Sequence, residues 1–140
     1  MKTVLLLEDD PACAEMLRGF LESHSFQVTC VTNGADGVRQ ILDQDFDVLL
    51  CDLFMPHLPG DMFYMAVERT KPRLCGRFIF MTGYGANPKY EAFINKVKAP
   101  VLLKPFAMYD LLEVIYGILM KDCFSTRQTR TIPDLKYALQ

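Results

Sequence analysis

The sequence predicts an α/β fold built on one parallel sheet. Short apolar runs alternate with amphipathic stretches up to about residue 121, which is typical of repeated strand and helix units. Several of these runs stop at an acidic, hydroxyl or basic residue, as expected where strands deliver side chains to one edge of a sheet. A chain of 140 residues that is 51% hydrophobic suits a single domain with a complete core.

Five apolar runs are predicted to be the strands. They cover residues 3 to 8, 26 to 31, 46 to 51, 77 to 81 and 100 to 103. Their runs of Val, Leu, Ile and Phe are typical of strands that helices cover on both faces.

Four helices have a start signal in the sequence. The carboxylates of Asp9 and Asp10 can cap free amides before Pro11, and proline suits the first helical position. The other three starts are at Asn33-Gly34, at Pro59-Gly60 and at Pro88. Apolar residues at helical spacing are expected to form the inward faces of these helices: Met16, Leu17, Phe20 and Leu21, then Val38, Ile41 and Leu42, then Met62, Phe63, Met65, Ala66 and Val67, then Tyr90, Phe93 and Ile94.

A fifth helix is predicted at about 107 to 120, and it is apolar on more than one side. Its core face would carry Met108, Leu111, Leu112, Ile115 and Leu119. Tyr109, Tyr116 and Met120 point elsewhere, and Val114 is expected on the opposite flank. Either the C-terminal segment folds back over these residues, or they form a partner-binding or dimer face.

The chain divides at about residue 121. Residues 1 to 121 are predicted to be one domain, and residues 122 to 140, polar and rich in Ser and Thr, a C-terminal tail, a linker stub or a short docking helix.

Composition excludes several classes of function. A net charge of −2 gives no electrostatic footprint for nucleic acid. No apolar run approaches the roughly 18 residues that span a bilayer, so we expect a soluble cytoplasmic protein. Five cysteines without a C-x-x-C pair indicate reduced thiols, and Cys51, inside an apolar strand, is expected to be a small buried hydrophobe rather than a nucleophile.

Polar residues at the strand ends form the candidate site. The acids Glu8-Asp9-Asp10 follow the first strand, and Asp52, Thr82 and the Lys104-Pro105 pair follow later ones. Nearby carboxylates repel each other unless a cation offsets them, and Mg²⁺ prefers such oxygen ligands. Asp9 and Asp52 could bind Mg²⁺ directly, with the main-chain carbonyl of Phe54 as a third ligand and Glu8 acting through a water; Asp10 is interpreted as a helix cap.

Beside Mg²⁺, the Asp52 carboxylate could attack a phosphorus centre in line and form an acyl phosphate. Lys104 would pair with one phosphoryl oxygen, and the Thr82 hydroxyl would donate to another. The added charge of roughly −2 could then move Thr82 and the fourth helix behind it.

Together these motifs resemble the receiver domain of two-component response regulators. The resemblance rests on Val4 to Asp9, Asp52-Leu53-x-Met55-Pro56 with Gly60, Thr82-Gly83-Tyr84-Gly85 and Lys104-Pro105-Phe106. It implies a three-layer, flavodoxin-like (βα)5 sandwich with strand order 2-1-3-4-5. It also implies that Asp52 is the phosphoacceptor, Glu8 and Asp9 the acidic pair, and Thr82 and Lys104 the switch residues, with a cis Lys104-Pro105 bond.

The chain departs from the family pattern near the site. Val101 stands where the family often has an aromatic switch residue, which argues against signalling by rotation of a ring at that position. Phe54 and Tyr84, each two residues beyond a site residue, are bulky. They are expected to shield the acyl phosphate from water and slow its hydrolysis.

The resemblance implies a signalling phosphoacceptor rather than an enzyme. It would take its phosphoryl group from a histidine kinase or phosphotransfer protein and signal to a protein partner through helix 4, strand 5 and helix 5. Two alternatives stay open. One is an interaction module that is never phosphorylated, and the other is a phosphohydrolase with Asp52 as nucleophile, although Phe54 fills the place where such enzymes carry a second acid.

Overall fold

Five strands and five α-helices alternate along the part of the chain that the structure describes. The computed structural model describes residues 1–83 and 88–124. The strands are β1 (Lys2–Leu7), β2 (Phe26–Val31), β3 (Val48–Asp52), β4 (Phe78–Thr82) and β5 (Val101–Leu103). The helices are α1 (Pro11–Ser23), α2 (Gly34–Asp43), α3 (Gly60–Thr70), α4 (Pro88–Val97) and α5 (Met108–Phe124), with a 3₁₀ helix (Pro72–Arg77) between α3 and β4.

The strands form one parallel sheet in the order β2-β1-β3-β4-β5. The β1 residue Val4 pairs with Val28 on one side and Val48 on the other, and in β4 Phe80 pairs with Val101. This order confirms the predicted topology. Because every strand runs the same way, all five carboxyl ends lie at one edge.

The core lies on both faces of the sheet, which makes a three-layer sandwich. Alternate residues of β1 serve the two faces: Val4 and Leu6 pack with α1 and α5, whereas Leu5 and Leu7 pack with α2, α3 and α4. A strand that is buried on both sides needs an uninterrupted apolar run, which explains the composition of β1.

Local capping sets the starts of α1 and α2. The Asp10 side chain accepts a hydrogen bond from the amide of Ala12 at 3.2 Å, which confirms its predicted role as a cap. Asn33 does the same for the amide of Asp36 at 2.8 Å. The 3₁₀ helix at Pro72–Arg77 was not predicted, because so short a segment shows no helical periodicity.

Several apolar helix residues predicted to face inward do not. Met16, Leu42, Met62 and Met65 are each about half exposed, whereas Leu17, Ile41 and Phe63, the neighbours of three of them in sequence, are buried. The inward stripe of each helix is therefore narrower than the apolar pattern suggests, because only residues directly over the sheet find partners.

The fifth helix corrects one prediction and confirms another. Val114, expected on an opposite flank, is buried in the α1 and α5 layer of the core, because α5 turns a wide face to the sheet. Tyr109, Tyr116 and Met120 lie off the core face, as predicted, and are exposed; whether the C-terminal segment covers them stays open. The helix continues to Phe124, beyond its predicted end, and residues 125 to 140 of the predicted tail lie outside the described part of the chain. Among the described residues, no helix combines the length and apolar character needed to cross a bilayer.

Candidate functional site

Side chains from three strand ends meet at the carboxyl edge of the sheet. Glu8 and Asp9 follow β1, Asp52 is the last residue of β3, and Lys104 follows β5. The Lys104 ammonium lies 2.6 Å from Glu8 Oε1 and 3.0 Å from Asp52 Oδ2. The expected convergence of these segments is thus observed, although the contact between Lys104 and Glu8 was not foreseen, since the sequence pattern indicated only a phosphoryl oxygen as the partner of the lysine.

The two carboxylates that Lys104 bridges are nearly inaccessible to solvent. Glu8 is 2% exposed and Asp52 is 5% exposed, whereas Asp9 is an exposed residue. The site is therefore open to solvent on the side of Asp9, which leaves a route for an ion or a phosphoryl donor.

Three carboxylates come together closely enough to share a cation. Glu8, Asp9 and Asp52 each offer one oxygen, and these oxygens all lie within 4.8 Å of one another. The negative charge of these three carboxylates exceeds the single positive charge of Lys104. A cluster of hard oxygen donors with such an excess of negative charge fits Mg²⁺ well.

Phe54 contributes to the site through its main chain. Its amide donates a hydrogen bond to Asp52 Oδ1 at 2.9 Å, so that both Asp52 oxygens have a donor. The predicted use of the Phe54 carbonyl as a metal ligand stays a prediction.

The electrostatics of Asp52 reflect its burial. Desolvation raises the pKa of this carboxyl above its ordinary value, and the charge of Glu8 adds to the rise, while the Phe54 amide and Lys104 oppose it. For Lys104, burial lowers the pKa, but the hydrogen bonds and charges of Glu8 and Asp52 outweigh burial and raise it overall. Lys104 is therefore a permanent cation at neutral pH.

Thr82 lies at the end of β4, between the strands that carry Asp52 and Lys104. The residue is 4% exposed, and its carbonyl accepts a hydrogen bond from the Lys104 amide at 2.8 Å. The main chains of Thr82 and Lys104 are thus linked, and the role of the Thr82 hydroxyl stays a prediction. Tyr84 and Gly85 lie outside the described residues. The Lys104-Pro105 bond is cis, as the resemblance implied.

The loop between β3 and α3 brings main chain close to Asp52. The amide of Gly60 bonds to the Leu53 carbonyl at 3.2 Å, and a Cβ added to Gly60 would lie 2.7 Å from the Asp52 carbonyl oxygen. His57 and Leu58 both adopt positive φ, at 49° and 86°. The sequence marks a break here through Pro59-Gly60, but it carried no signal for these positive φ values, because leucine rarely adopts that conformation.

Cys51 is buried beside the site and is not a nucleophile candidate. Burial, followed by the charge of Asp52, raises the pKa of its thiol well above the ordinary value, and its sulfur donates to the Asp52 carbonyl at 3.4 Å. The predicted assignment as a small buried hydrophobe is confirmed.

The fold and the acidic edge define a CheY-like α/β domain. The response regulator receiver domain family matches residues 4–116, and the chain belongs to that family. It is therefore a receiver domain of two-component signalling, as the sequence motifs indicated.

The chain covers very different shares of its relatives' lengths. The response regulator receiver protein CpdR of Brucella abortus is 33% identical over 123 residues, which cover 86% of this chain and 98% of CpdR. The transcription factor SKN7 of Candida albicans is 28% identical over 127 residues, 91% of this chain but 22% of SKN7. The chain thus spans less than a quarter of that relative.

Solved structures share the fold. A CheY-like receiver domain protein from Methanospirillum hungatei superposes with a TM-score of 0.80 at 25% identity, covering 89% of this chain and 98% of that one. The receiver domain of the sensor histidine kinase PA1611 from Pseudomonas aeruginosa gives a TM-score of 0.74 at 24% identity, covering 85% and 98%. That structure holds a magnesium ion in its active site cleft.

Proposed function

We propose that this receiver domain accepts a phosphoryl group on Asp52 in a Mg²⁺-dependent reaction. The observation that carries the proposal is a buried aspartate whose two oxygens are held by Lys104 and by the Phe54 amide, beside two further carboxylates. Glu8, Asp9 and Asp52 would hold the ion, with the Phe54 carbonyl. When bound, Mg²⁺ neutralises oxygens of the incoming phosphoryl group.

The reaction transfers a phosphoryl group from an oxygen or a nitrogen atom of the donor to a carboxylate oxygen of Asp52. Asp52 Oδ2 forms a bond to phosphorus, the bond from phosphorus to the donor's leaving group breaks, and the leaving group keeps the electron pair. Lys104, already 3.0 Å from Oδ2, then shifts its hydrogen bond to a phosphoryl oxygen. The Thr82 hydroxyl donates to a second phosphoryl oxygen.

The physiological donor would be a histidine kinase or a phosphotransfer protein.

Output would pass to a protein partner through α4, β5 and α5. The exposed side chains of Tyr109, Tyr116 and Met120 are candidates for that surface or for a homodimer contact. We further propose a receiver unit of residues 1–121 and a tail or linker from 122 whose first residues continue α5 to Phe124. We also propose a cytoplasmic location without direct binding of nucleic acid or membrane.

Phosphorylation with a small donor tests the proposal. We expect incubation with Mg²⁺ and acetyl phosphate to add one labile phosphoryl group to Asp52, detected by intact mass and peptide mapping. Asp52→Asn should take none, and Asp45→Asn, which alters an exposed carboxylate, should be labelled like the wild type. An unmodified wild-type protein would instead favour the interaction module that is never phosphorylated.

We also expect slow loss of the phosphoryl group. Asp52 is only 5% exposed, so its burial limits the directions from which water can attack. The bulky residue Phe54 lies two positions beyond it. The phosphorylated fraction is measured by mass spectrometry over time after the donor is removed. Loss of the phosphoryl group within seconds would contradict this expectation. A phosphohydrolase is not favoured, because Phe54 offers the site an amide and no acid.

A further inference from the structure

Phe54 connects the proposed phosphoacceptor to helix α4. Its amide bonds to Asp52 Oδ1 at 2.9 Å, so its main chain is tied to the carboxylate. Its side chain is 63% exposed, yet the ring meets the ring of Tyr90 edge-on, with centroids 5.6 Å apart and planes at 80°. One residue therefore contacts Asp52 through its backbone and α4 through its side chain.

Tyr90 is the inner end of this contact. It lies in the first turn of α4, is 5% exposed, and belongs to the same buried cluster as Met55 and Val101. Strand β5 contributes no ring to this cluster, because its residues are Val101, Leu102 and Leu103. Burial raises the pKa of the Tyr90 phenol, and the charges of Asp61 and Asp52 raise it further, so the phenol lies in the field of the phosphoacceptor.

We propose that the contact between the Phe54 and Tyr90 rings transmits the phosphorylation state of Asp52 to α4. Tyr90 is then a positioning residue for the output helix. This inference rests on the proposed function, because it requires a phosphoryl group on Asp52.

The physical reason is the change in the acceptor that holds the Phe54 amide. In the free site the amide donates to a charged carboxylate oxygen, whereas in an acyl phosphate Oδ1 is a neutral carbonyl and a weaker acceptor. The Phe54 amide can then turn from Oδ1 towards the new charge of roughly −2 beside it, while the Phe54 carbonyl would stay on the proposed Mg²⁺. Since the ring moves with the backbone, Tyr90 has to repack, and α4 shifts with Tyr90.

The size of the effect follows from the contact. An edge-on aromatic pair made in one state and lost in the other changes the ratio of two α4 conformations by about 2- to 10-fold. By linkage, a partner that holds Tyr90 in one position changes the phosphorylation equilibrium of Asp52 by the same factor.

Hydrogen exchange of the α4 amides tests the inference. The full chain is compared in Mg²⁺ with and without excess acetyl phosphate, and the phosphorylated fraction is read from intact mass in the same samples. The change in exchange is divided by that fraction, so that altered labelling does not enter the result. The variants are Phe54→Leu, Tyr90→Leu and Tyr90→Phe, with Phe93→Leu as the matched control, since Phe93 is a ring of α4 that contacts Tyr64 and Phe80 instead.

We expect the wild type, Tyr90→Phe and Phe93→Leu to show a change in α4 exchange of about 2- to 10-fold on phosphorylation. Phe54→Leu and Tyr90→Leu should abolish most of it. An undiminished α4 response in Phe54→Leu would overturn the inference, and this test remains decisive even if Tyr90→Leu fails to fold, because the Phe54 side chain is largely exposed. A wild type that takes no phosphoryl group on Asp52 would overturn the proposed function and the inference together.

Discussion

At Lys104 one ammonium offsets two carboxylates that folding removes from water. Its distances of 2.6 Å to Glu8 and 3.0 Å to Asp52 allow a charged hydrogen bond to each. Taking both acids out of water is costly, so the lysine is as much a requirement of folding as of phosphoryl transfer.

Removal of this ammonium should therefore destabilise the protein. We expect Lys104→Met to lower the free energy of unfolding at pH 7 by about 3 kcal/mol without Mg²⁺, because it leaves buried charge uncompensated. Added Mg²⁺ should restore more stability to this variant than to the wild type, as measured by urea denaturation. Lys71→Met removes a lysine from the exposed pair with Asp45 and should cost less than about 1 kcal/mol. Equal losses in the two variants would contradict this interpretation of Lys104.

Asp45 shows how an exposed carboxylate can be held by two cations. Lys71 Nζ lies 2.9 Å from its Oδ1 and Arg73 Nη2 lies 2.7 Å from its Oδ2. The hydrogen bonds from Lys71 and Arg73 lower the pKa of Asp45 from 3.8 to about 2. These contacts join the segment before β3 to the turn after α3.

The pH dependence of this cluster has a definite sign. Because the folded-state pKa of Asp45 is depressed, its contribution to stability is present above pH 3.8 and is lost as the pH falls through about 2. We expect an NMR titration of the side-chain carboxyl to give a midpoint of about 2. In a Lys71→Gln, Arg73→Gln double variant the midpoint should rise towards 3.8, and an unchanged midpoint would show that the two cations are not the cause.

At the scale of elements, the connection from β3 to α3 is closely constrained beside Asp52. It begins at Leu53, whose amide bonds to the Met81 carbonyl, turns through the positive φ values of His57 and Leu58, and reaches α3 at Gly60. The main chain passes so close to Asp52 at Gly60 that a side chain there has no room.

A pair of glycine substitutions separates this packing effect from helix propensity. Gly60→Ala should lower the free energy of unfolding by about 1 to 3 kcal/mol, because its Cβ would lie 2.7 Å from the Asp52 carbonyl oxygen. Gly19→Ala, within α1 and with nothing within 4 Å of the added Cβ, should raise it by about 0.5 to 1 kcal/mol. Urea denaturation of both variants measures this, and a neutral Gly60→Ala would mean that the backbone at Asp52 yields easily.

At the scale of the whole molecule, the site draws its residues from three segments that meet only when the sheet is complete. Glu8 and Asp9 follow β1, Asp52 ends β3 and Lys104 follows β5. A ligand that binds this assembled cluster binds the folded state alone and must stabilise the entire domain.

Mg²⁺ should accordingly stabilise the fold. At a concentration ten times its Kd, the free energy of unfolding should rise by about 1.4 kcal/mol, and a chelator should reverse the rise. The gain should be smaller in Asp52→Asn and unchanged in Asp45→Asn, whose carboxylate lies outside the cluster. An equal gain in wild type and Asp52→Asn, measured by thermal or urea unfolding, would contradict the proposed metal site.

Local signals in the chain are enough to predict the elements of this fold. Apolar runs mark all five strands to within two residues at either end, and Asp10 with Pro11 marks the start of α1, because strand burial and helix capping depend on neighbours in sequence. That the acids and Lys104 lie at one edge of the sheet was also predictable, since parallel strands end at a common edge.

Only the tertiary structure decided what covers each surface and which site groups touch. Two contacts join residues from different segments: the pair of Lys104 with Glu8 and the ring contact of Phe54 with Tyr90. The burial of Val114 depends on what packs over α5. Sequence periodicity indicates which side of an element is apolar, but it does not specify the distance to a remote partner. Tyr90 is 36 positions from Phe54, and Lys104 is 96 positions from Glu8. Those distances are set by how the layers pack, which depends on the whole chain at once.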